Sequence, residues 1–509
     1  MPNRSALPNQ SPKVEIIGAG VAGLCLGIRL LRRGVRAVIY EASQSAGGLC
    51  VNWRRADYDF NGCLHWVLGA RPGSSFHDMW LKVCDIDSLT FADFDERVDI
   101  ELPDGDGGFW HFHFYNDIAR FRAYLISLAP DDSAIIDKWI DAVKMVVRFL
   151  PDLPPFPTEA SLLGRMSHYA SLCRMWPMLP FLLRWQGLTT RSFSKRFKSA
   201  RLRQAVEALY MNETPMTVVI FGQAYMAARV ASYPLGGSRS LAELLLRTFL
   251  SLGGAVEYGA RVDSVRVDDG KAVGLLLADG RVTSADAVCS CADWCWTVGH
   301  ALGGRYASAT QLSLITAPKE AFFFSYCRVH LGVACSLAEL PHFLRLAVNG
   351  ILPDGTPFAQ LEIEVGNYDP ALAPDGKATL TANFTTREGE WWIALRNSDI
   401  EEYRRAKKEV AQAVLDALAE RFPHLFVPSP VEVVDVVTPA TFYRFTSNTL
   451  GSSQGWSPMP RLTKRLPVST TLRGLSRFAM AGHWLEAGGG LPIALVSALR
   501  AEKTLMRQL

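Results

Sequence analysis

Three glycines in Gly18-Ala19-Gly20-Val21-Ala22-Gly23 follow a short apolar run at residues 14–17 and open an apolar stretch that continues through Leu31. The first glycine permits a tight turn, the second lets backbone approach a pyrophosphate, and the third lets a helix lie close to a sheet. The helix N-terminus then faces negative charge. Glu41 ends the next apolar run, residues 35–40, and stands 18 positions after Gly23. A carboxylate there can accept hydrogen bonds from both ribose hydroxyls of an adenosine. The predicted chemistry is dinucleotide binding. FAD and NAD share the ADP half, so this unit alone does not choose between them.

Two further glycine-rich segments make that choice. Gly47-Gly48-Leu49 lies in a Ser-rich loop after Glu41, and Ala481-Gly482-His483-Trp484-Leu485-Glu486-Ala487-Gly488-Gly489-Gly490-Leu491-Pro492 lies near the C-terminus. Together with the first glycine motif they resemble the phytoene desaturase, carotenoid isomerase and retinol saturase family of FAD-dependent oxidoreductases. Pro234-Leu235-Gly236-Gly237-Ser238, Gly253-Gly254-Ala255, Val262 and Asp279-Gly280 match the middle segment of that family, and residues 368–377 look like its turn in the substrate domain. The resemblance implies that Gly18, Gly20, Gly23, Glu41, Gly47, Gly48, Leu49, Asn61, Val262, Gly482, Gly489, Gly490 and Leu491 hold FAD, with Val262 near the adenine. It also has departures: Leu49 stands where family members often have Arg, Ala487 where Pro is usual, and His483 where some relatives have an acid.

The same resemblance places the candidate chemistry. In the families it resembles, the segment after the second glycine pair returns to the flavin ring, here Tyr58-Asp59-Phe60-Asn61-Gly62-Cys63-Leu64-His65-Trp66. His65 and Trp66 are the candidates from this wall, with Asn61 beside them. His483, Trp484 and Glu486 precede the final glycine loop. His483 is expected to hydrogen-bond cofactor or substrate, Trp484 to wall off the ring, and Glu486 to act as a proton partner with its pKa raised by apolar surroundings. Packing roles remain open for each. Gly451, Gln454 and Trp456 match a weaker Gly/aromatic loop that faces substrate.

The elements that must position these residues read as an α/β protein with a Rossmann-type, glutathione-reductase-like FAD-binding domain built from discontinuous segments. Helix patterns cover residues 238–252 and 492–505. Strand patterns cover 256–258, 287–291 and 478–481, and a hairpin joins 261–268 to 273–277. The expected FAD domain comprises residues 12–70, 230–300 and 455–509. Residues 71–229 and 301–454 form an inserted α+β substrate domain, with strands at 322–331, 360–364 and 378–385.

A chain of 509 residues with 49% hydrophobic residues can bury a large core, and its formal charge of +3 gives no overall field that argues for nucleic acid. Ten cysteines make no disulfide scaffold, and the group Cys289, Cys291 and Cys295 lacks a zinc-ligand pattern, so no metal is expected. Residues 1–12 read as a loose polar tail rather than a secretion signal. A local patch stands out at residues 165–203. Arg165, Arg174, Arg184, Arg191, Lys195, Arg196, Lys198, Arg201 and Arg203 are interleaved there with Met175, Trp176, Leu179, Phe181, Leu182 and Trp185. That mixture suits a membrane surface or an acidic acyl-carrier protein, with a solvated helical face as the plain alternative. The expectation is a cytoplasmic or peripherally membrane-bound FAD enzyme. Its reaction would be desaturation, saturation or isomerisation of carbon–carbon bonds in a long apolar polyene, isoprenoid or polyketide chain. A flavin amine oxidase and a lipid-binding flavoprotein without net redox turnover are the alternatives.

Overall fold

The computed structural model describes residues 11–63, 66–153, 176–210, 214–457 and 468–509. The strand Lys13–Ile17 runs through the middle of a five-stranded sheet. Across that sheet the order is Ala255–Glu257, Arg36–Tyr40, Lys13–Ile17, Ala287–Ser290 and Phe478–Met480, with every neighbouring pair parallel. Short apolar runs of this kind form parallel strands covered on both faces. Glu15 is a buried exception on the central strand. Its carboxylate is held by Lys13 at 2.7 Å, the Tyr40 hydroxyl at 3.3 Å and the Thr283 hydroxyl at 2.5 Å.

The helices Val21–Leu31, Gly237–Ser251 and Gly490–Met506 pack together beside this sheet. Glycine decides how close they come. A Cβ at Gly23 would lie 2.0 Å from the Gly18 carbonyl oxygen, and one at Gly27 would lie 2.5 Å from the Phe249 ring. Glu502, 3% exposed on the last helix, meets Arg29 at 2.9 Å and Arg33 at 2.9 Å on the first. Losing one partner of a buried pair costs about 3–5 kcal/mol, so the contact ties the two ends of the chain. The antiparallel hairpin Val262–Asp268 and Lys271–Leu277 lies beside the parallel sheet.

A second sheet has seven strands, in the order Val431–Val437, Ser325–Val333, Ala378–Thr386, Pro357–Val365, Phe343–Ile351, Glu96–Pro103 and Phe109–Tyr115. Strands from both inserted stretches therefore join in one sheet. They meet at a parallel junction, Leu344 opposite Asp99 and Arg345 opposite Ile100. Alternation along the strands separates the faces. Cys327, Val329, Leu361 and Ile363 pack with the helix Ile400–Arg421 through Tyr403, Val410 and Val414. Arg328, Asn383, Glu362 and Arg345 occupy the other phase, in register across four strands.

One strand begins later than its sequence pattern suggests, at Ser325 rather than residue 322. Phe322 instead packs on Trp456 and Trp484, with ring centroids at 4.9 Å and 5.2 Å, and so joins the core against the five-stranded parallel sheet. Among the described residues, no helix is long and apolar enough to cross a membrane.

Candidate functional site

The C-terminal ends of the parallel strands open onto a cavity of about 2280 Å³. This is well above the roughly 300–1,000 Å³ of a single small-molecule pocket, so it has room for a cofactor and a substrate. Gly18, Gly20, Glu41, Gly47, Gly48, Leu49, Val262, Gly482, Gly489, Gly490 and Leu491 all line it. Backbone contacts bring these loops together. Gly20 and Gly47 form a parallel bridge, and a Cβ at Gly48 would lie 3.2 Å from the Gly20 Cα. Cβ atoms at Gly18 and Gly482 would each lie 3.7 Å from the Cys291 carbonyl oxygen, so the first and last loops flank the end of one strand.

Gly489 has φ +50°, and its Cβ would come within 1.8 Å of the Gln454 carbonyl oxygen. Any other residue there must displace backbone. Gly23 does not line the cavity and acts by bringing its helix close to Gly18.

These features fit a dinucleotide. The helices Val21–Leu31 and Gly490–Met506 both begin at the cavity without a side-chain cap and without an acidic residue in the first turn. Their first N–H groups therefore suit phosphate oxygens. Glu41 accepts from the Ala19 amide at 2.7 Å and the Ser43 amide at 2.8 Å, which holds its carboxylate at the cavity edge. Carboxylate oxygens have lone pairs beyond those two bonds with which to receive ribose hydroxyls.

The remaining sequence candidates divide. Trp66 lines the cavity, while His65 lies outside the described residues. His483 and Trp484 line it as neighbours in tilted ring contact, with centroids 4.8 Å apart. Burial pushes the His483 pKa down to about 4, so its ring is neutral at physiological pH, and Nε2 is buried with no hydrogen-bond partner among the described residues. Gln454 lines the cavity, whereas Gly451 and the buried Trp456 do not. Trp456 stands behind the wall, where its Nε1 donates to the Trp484 carbonyl at 2.6 Å.

Two candidates stand away from the cavity. Asn61 is absent from the cavity lining; its Oδ1 accepts from the Ser238 amide at 3.2 Å and hydroxyl at 2.5 Å, fastening the strand Tyr58–Asn61 to the start of a helix. Glu486 is also absent, because its carboxylate turns to Arg500 at 2.6 Å. It forms an ion pair with the last helix.

Residues not anticipated from the sequence build the far wall. Arg328, Asn383, Glu362 and Arg345 line the cavity as a polar row across the large sheet. Arg345 and Glu362 are paired at 2.9 Å. Phe323, Phe324, Tyr326, Phe221, Tyr225 and Phe384 give the surrounding walls an apolar, aromatic character. In the basic window Phe181 and Trp185 are core residues, while Trp176 is 72% and Leu183 66% exposed. Arg165, Arg174 and Met175 lie outside the described residues.

The fold and the glycine loops define a flavoprotein. A sequence model for NAD(P)-binding Rossmann-like domains matches residues 16–83, and one for flavin-containing amine oxidoreductases matches residues 198–501. With more than half of its length matched by the second, the chain belongs to the flavin-containing amine oxidoreductase family, and its cofactor is FAD.

The chain is 23% identical to a phytoene desaturase (lycopene-forming) of Pseudescherichia vulneris over 519 residues, covering 97% of this chain and 99% of the relative. It is 24% identical to prolycopene isomerase 1 of an Oncidium hybrid cultivar over 90% of this chain and 77% of that one. A prolycopene isomerase of Arabidopsis thaliana is 30% identical over 47% of this chain, a stretch that spans 40% of the relative's own length. Among solved structures, wild-type putrescine oxidase bound to putrescine superposes with TM-score 0.53 at 14% identity over 98% of this chain and 100% of that one. An oxidoreductase from Methanosarcina mazei does so with TM-score 0.53 at 16% identity over 97% and 100%. At these identities the likeness to the solved structures establishes the fold.

Gly489→Ala is predicted to reduce bound flavin at least about tenfold, because the Gln454 carbonyl must move and a strained backbone must be held. Flavin absorbance per chain after reconstitution measures this. Full flavin content in the variant would refute the assignment of that loop.

Proposed function

We propose that the protein acts on carbon–carbon bonds of a long apolar chain, a polyene or isoprenoid lipid, by desaturation, saturation or cis–trans isomerisation. One observation carries this reading: the glycine loops and the aromatic far wall line a single cavity of about 2280 Å³. The relatives named as a phytoene desaturase and prolycopene isomerases support it.

Bound FAD supplies the two-electron chemistry that the side chains lack. The chain's residues supply the rest. Trp66, Tyr326 and Phe324 hold an extended apolar substrate and exclude water. Neutral His483 offers a hydrogen bond from the cavity wall, and Trp484 packs beside it at a tilt.

The exposed Trp176, Leu179, Leu182 and Leu183, together with Arg184, Arg191 and Lys195, are proposed as a contact with an anionic membrane surface. Phe181 packs on Phe221 at 6.2 Å, and Phe221 lines the cavity, so this surface lies one ring layer from the interior. Sedimentation with phosphatidylglycerol vesicles should retain the wild type and release a Trp176→Ala/Leu183→Ser variant several-fold more readily. Equal retention of both, or preferential capture by an acyl-carrier protein, would contradict the membrane reading.

Holoenzyme incubated anaerobically with all-trans-retinol, a saturated analogue or putrescine tests the activity. Photoreduced flavin reoxidised by the polyene indicates saturation, oxidised flavin bleached by the saturated analogue indicates desaturation, and a polyene altered without flavin turnover indicates isomerisation. Bleaching by putrescine with both apolar chains unchanged would replace this reading with amine oxidation. Binding of the chains with no chemical change would leave a lipid-binding flavoprotein.

A further inference from the structure

Arg97, on the strand Glu96–Pro103, faces the cavity from the large sheet. Its guanidinium lies over three ring faces, 5.2 Å from Trp66, 5.7 Å from Phe114 and 5.4 Å from Tyr210. One terminal nitrogen donates to the Tyr210 hydroxyl. The other, Nη1, is buried with no hydrogen-bond partner among the described residues. No carboxylate among the described residues forms an ion pair with this side chain, in contrast to two other arginines of the same cavity. Arg345 has Glu362 at 2.9 Å, and Arg421 has Glu101 at 3.0 Å.

The recess is shaped for this group. Gly222 lies within the helix Met216–Ala227, and a Cβ there would come 3.0 Å from Nη1 and 3.4 Å from Nη2. Glycine inside a helix weakens it, and here it leaves space for the guanidinium. Among the described residues Arg328, 4% exposed and on the same cavity, also lacks a carboxylate ion pair and has an unsatisfied Nε. A buried charge is costly until it is paired and its donors are used. Ring faces attract the cation but do not satisfy an N–H at its edge.

We propose that Arg97 receives an anionic end group of the substrate, a carboxylate carried on the long apolar chain. This rests on the reading of the cavity as a site for such a chain and adds its end group. Arg97 presents one cation and one unsatisfied terminal nitrogen, which matches a singly charged carboxylate better than a phosphate dianion. A carboxylate there gives a charge-assisted hydrogen bond at Nη1, with the Tyr210 hydroxyl adjacent. The apolar remainder of the ligand then lies along the aromatic walls.

Binding to the holoenzyme is measured by tryptophan quenching for four probes: all-trans-retinoic acid, its methyl ester, all-trans-retinol and retinyl phosphate. The acid is expected to bind about tenfold or more tightly than the ester or alcohol. Arg97→Met should abolish that preference while leaving ester binding and flavin content in place, and Arg97→Lys should retain part of it. Gly222→Ala provides an independent variant, expected to weaken acid binding by displacing the guanidinium even if Arg97→Met fails to fold. Equal affinities for acid and ester, or an acid preference that survives Arg97→Met, would overturn the proposal. Tighter binding of the phosphate would overturn the carboxylate assignment.

Turnover of the neutral polyene without any acid preference would defeat this inference and leave the proposed activity standing. An Arg97-dependent acid preference in an enzyme that transforms no polyene would support the inference and count against that activity. Failure of all four probes to bind would overturn both.

Discussion

Parallel pairing of Lys13–Ile17 with Ala287–Ser290, and of Ala287–Ser290 with Phe478–Met480, is the constraint on which the site depends. Three segments from the beginning, middle and end of the chain thereby run in one direction and release their loops at one edge. Ligands of open α/β sheets bind outside that carboxyl edge. The Cys291 carbonyl oxygen marks the meeting point, with Gly18 on one side and Gly482 on the other. Glu502 reinforces it from behind by joining the last helix to Arg29 and Arg33 of the first.

From that edge the cavity continues to the seven-stranded sheet. Its cofactor end is mostly backbone: glycines, uncapped helix starts and the Glu41 carboxylate. Its far end is side chain: aromatic walls with Arg328, Asn383, Glu362 and Arg345 in register. Backbone can approach phosphates without intervening atoms, whereas an apolar chain needs shaped surface. The two regions therefore use different residue types in one continuous space.

The cofactor end was legible in the sequence because its requirements are local. Gly18, Gly20 and Gly23 have fixed offsets, and Glu41 must end the following strand. Less is legible where the partner is distant. Asn61 turns to Ser238, and Glu486 turns to Arg500 of the last helix, neither of which spacing reveals. The alternation of Leu361-Glu362-Ile363-Glu364 identifies a two-faced strand but not which face looks inward. Thus Glu362, Arg328 and Arg345 could not be separated from solvent-facing charges. Phe322 was read as strand for the same reason, since nothing local predicts its packing on Trp456 and Trp484.

Hydrogen–deuterium exchange of the apoprotein and the FAD-loaded protein tests most directly whether distant parts of the chain close around one cofactor. The account predicts slower exchange on FAD binding in both 17–24 and 482–494, saturating together at one FAD per chain. Protection confined to the first segment, with 482–494 unchanged at full flavin occupancy, would contradict it.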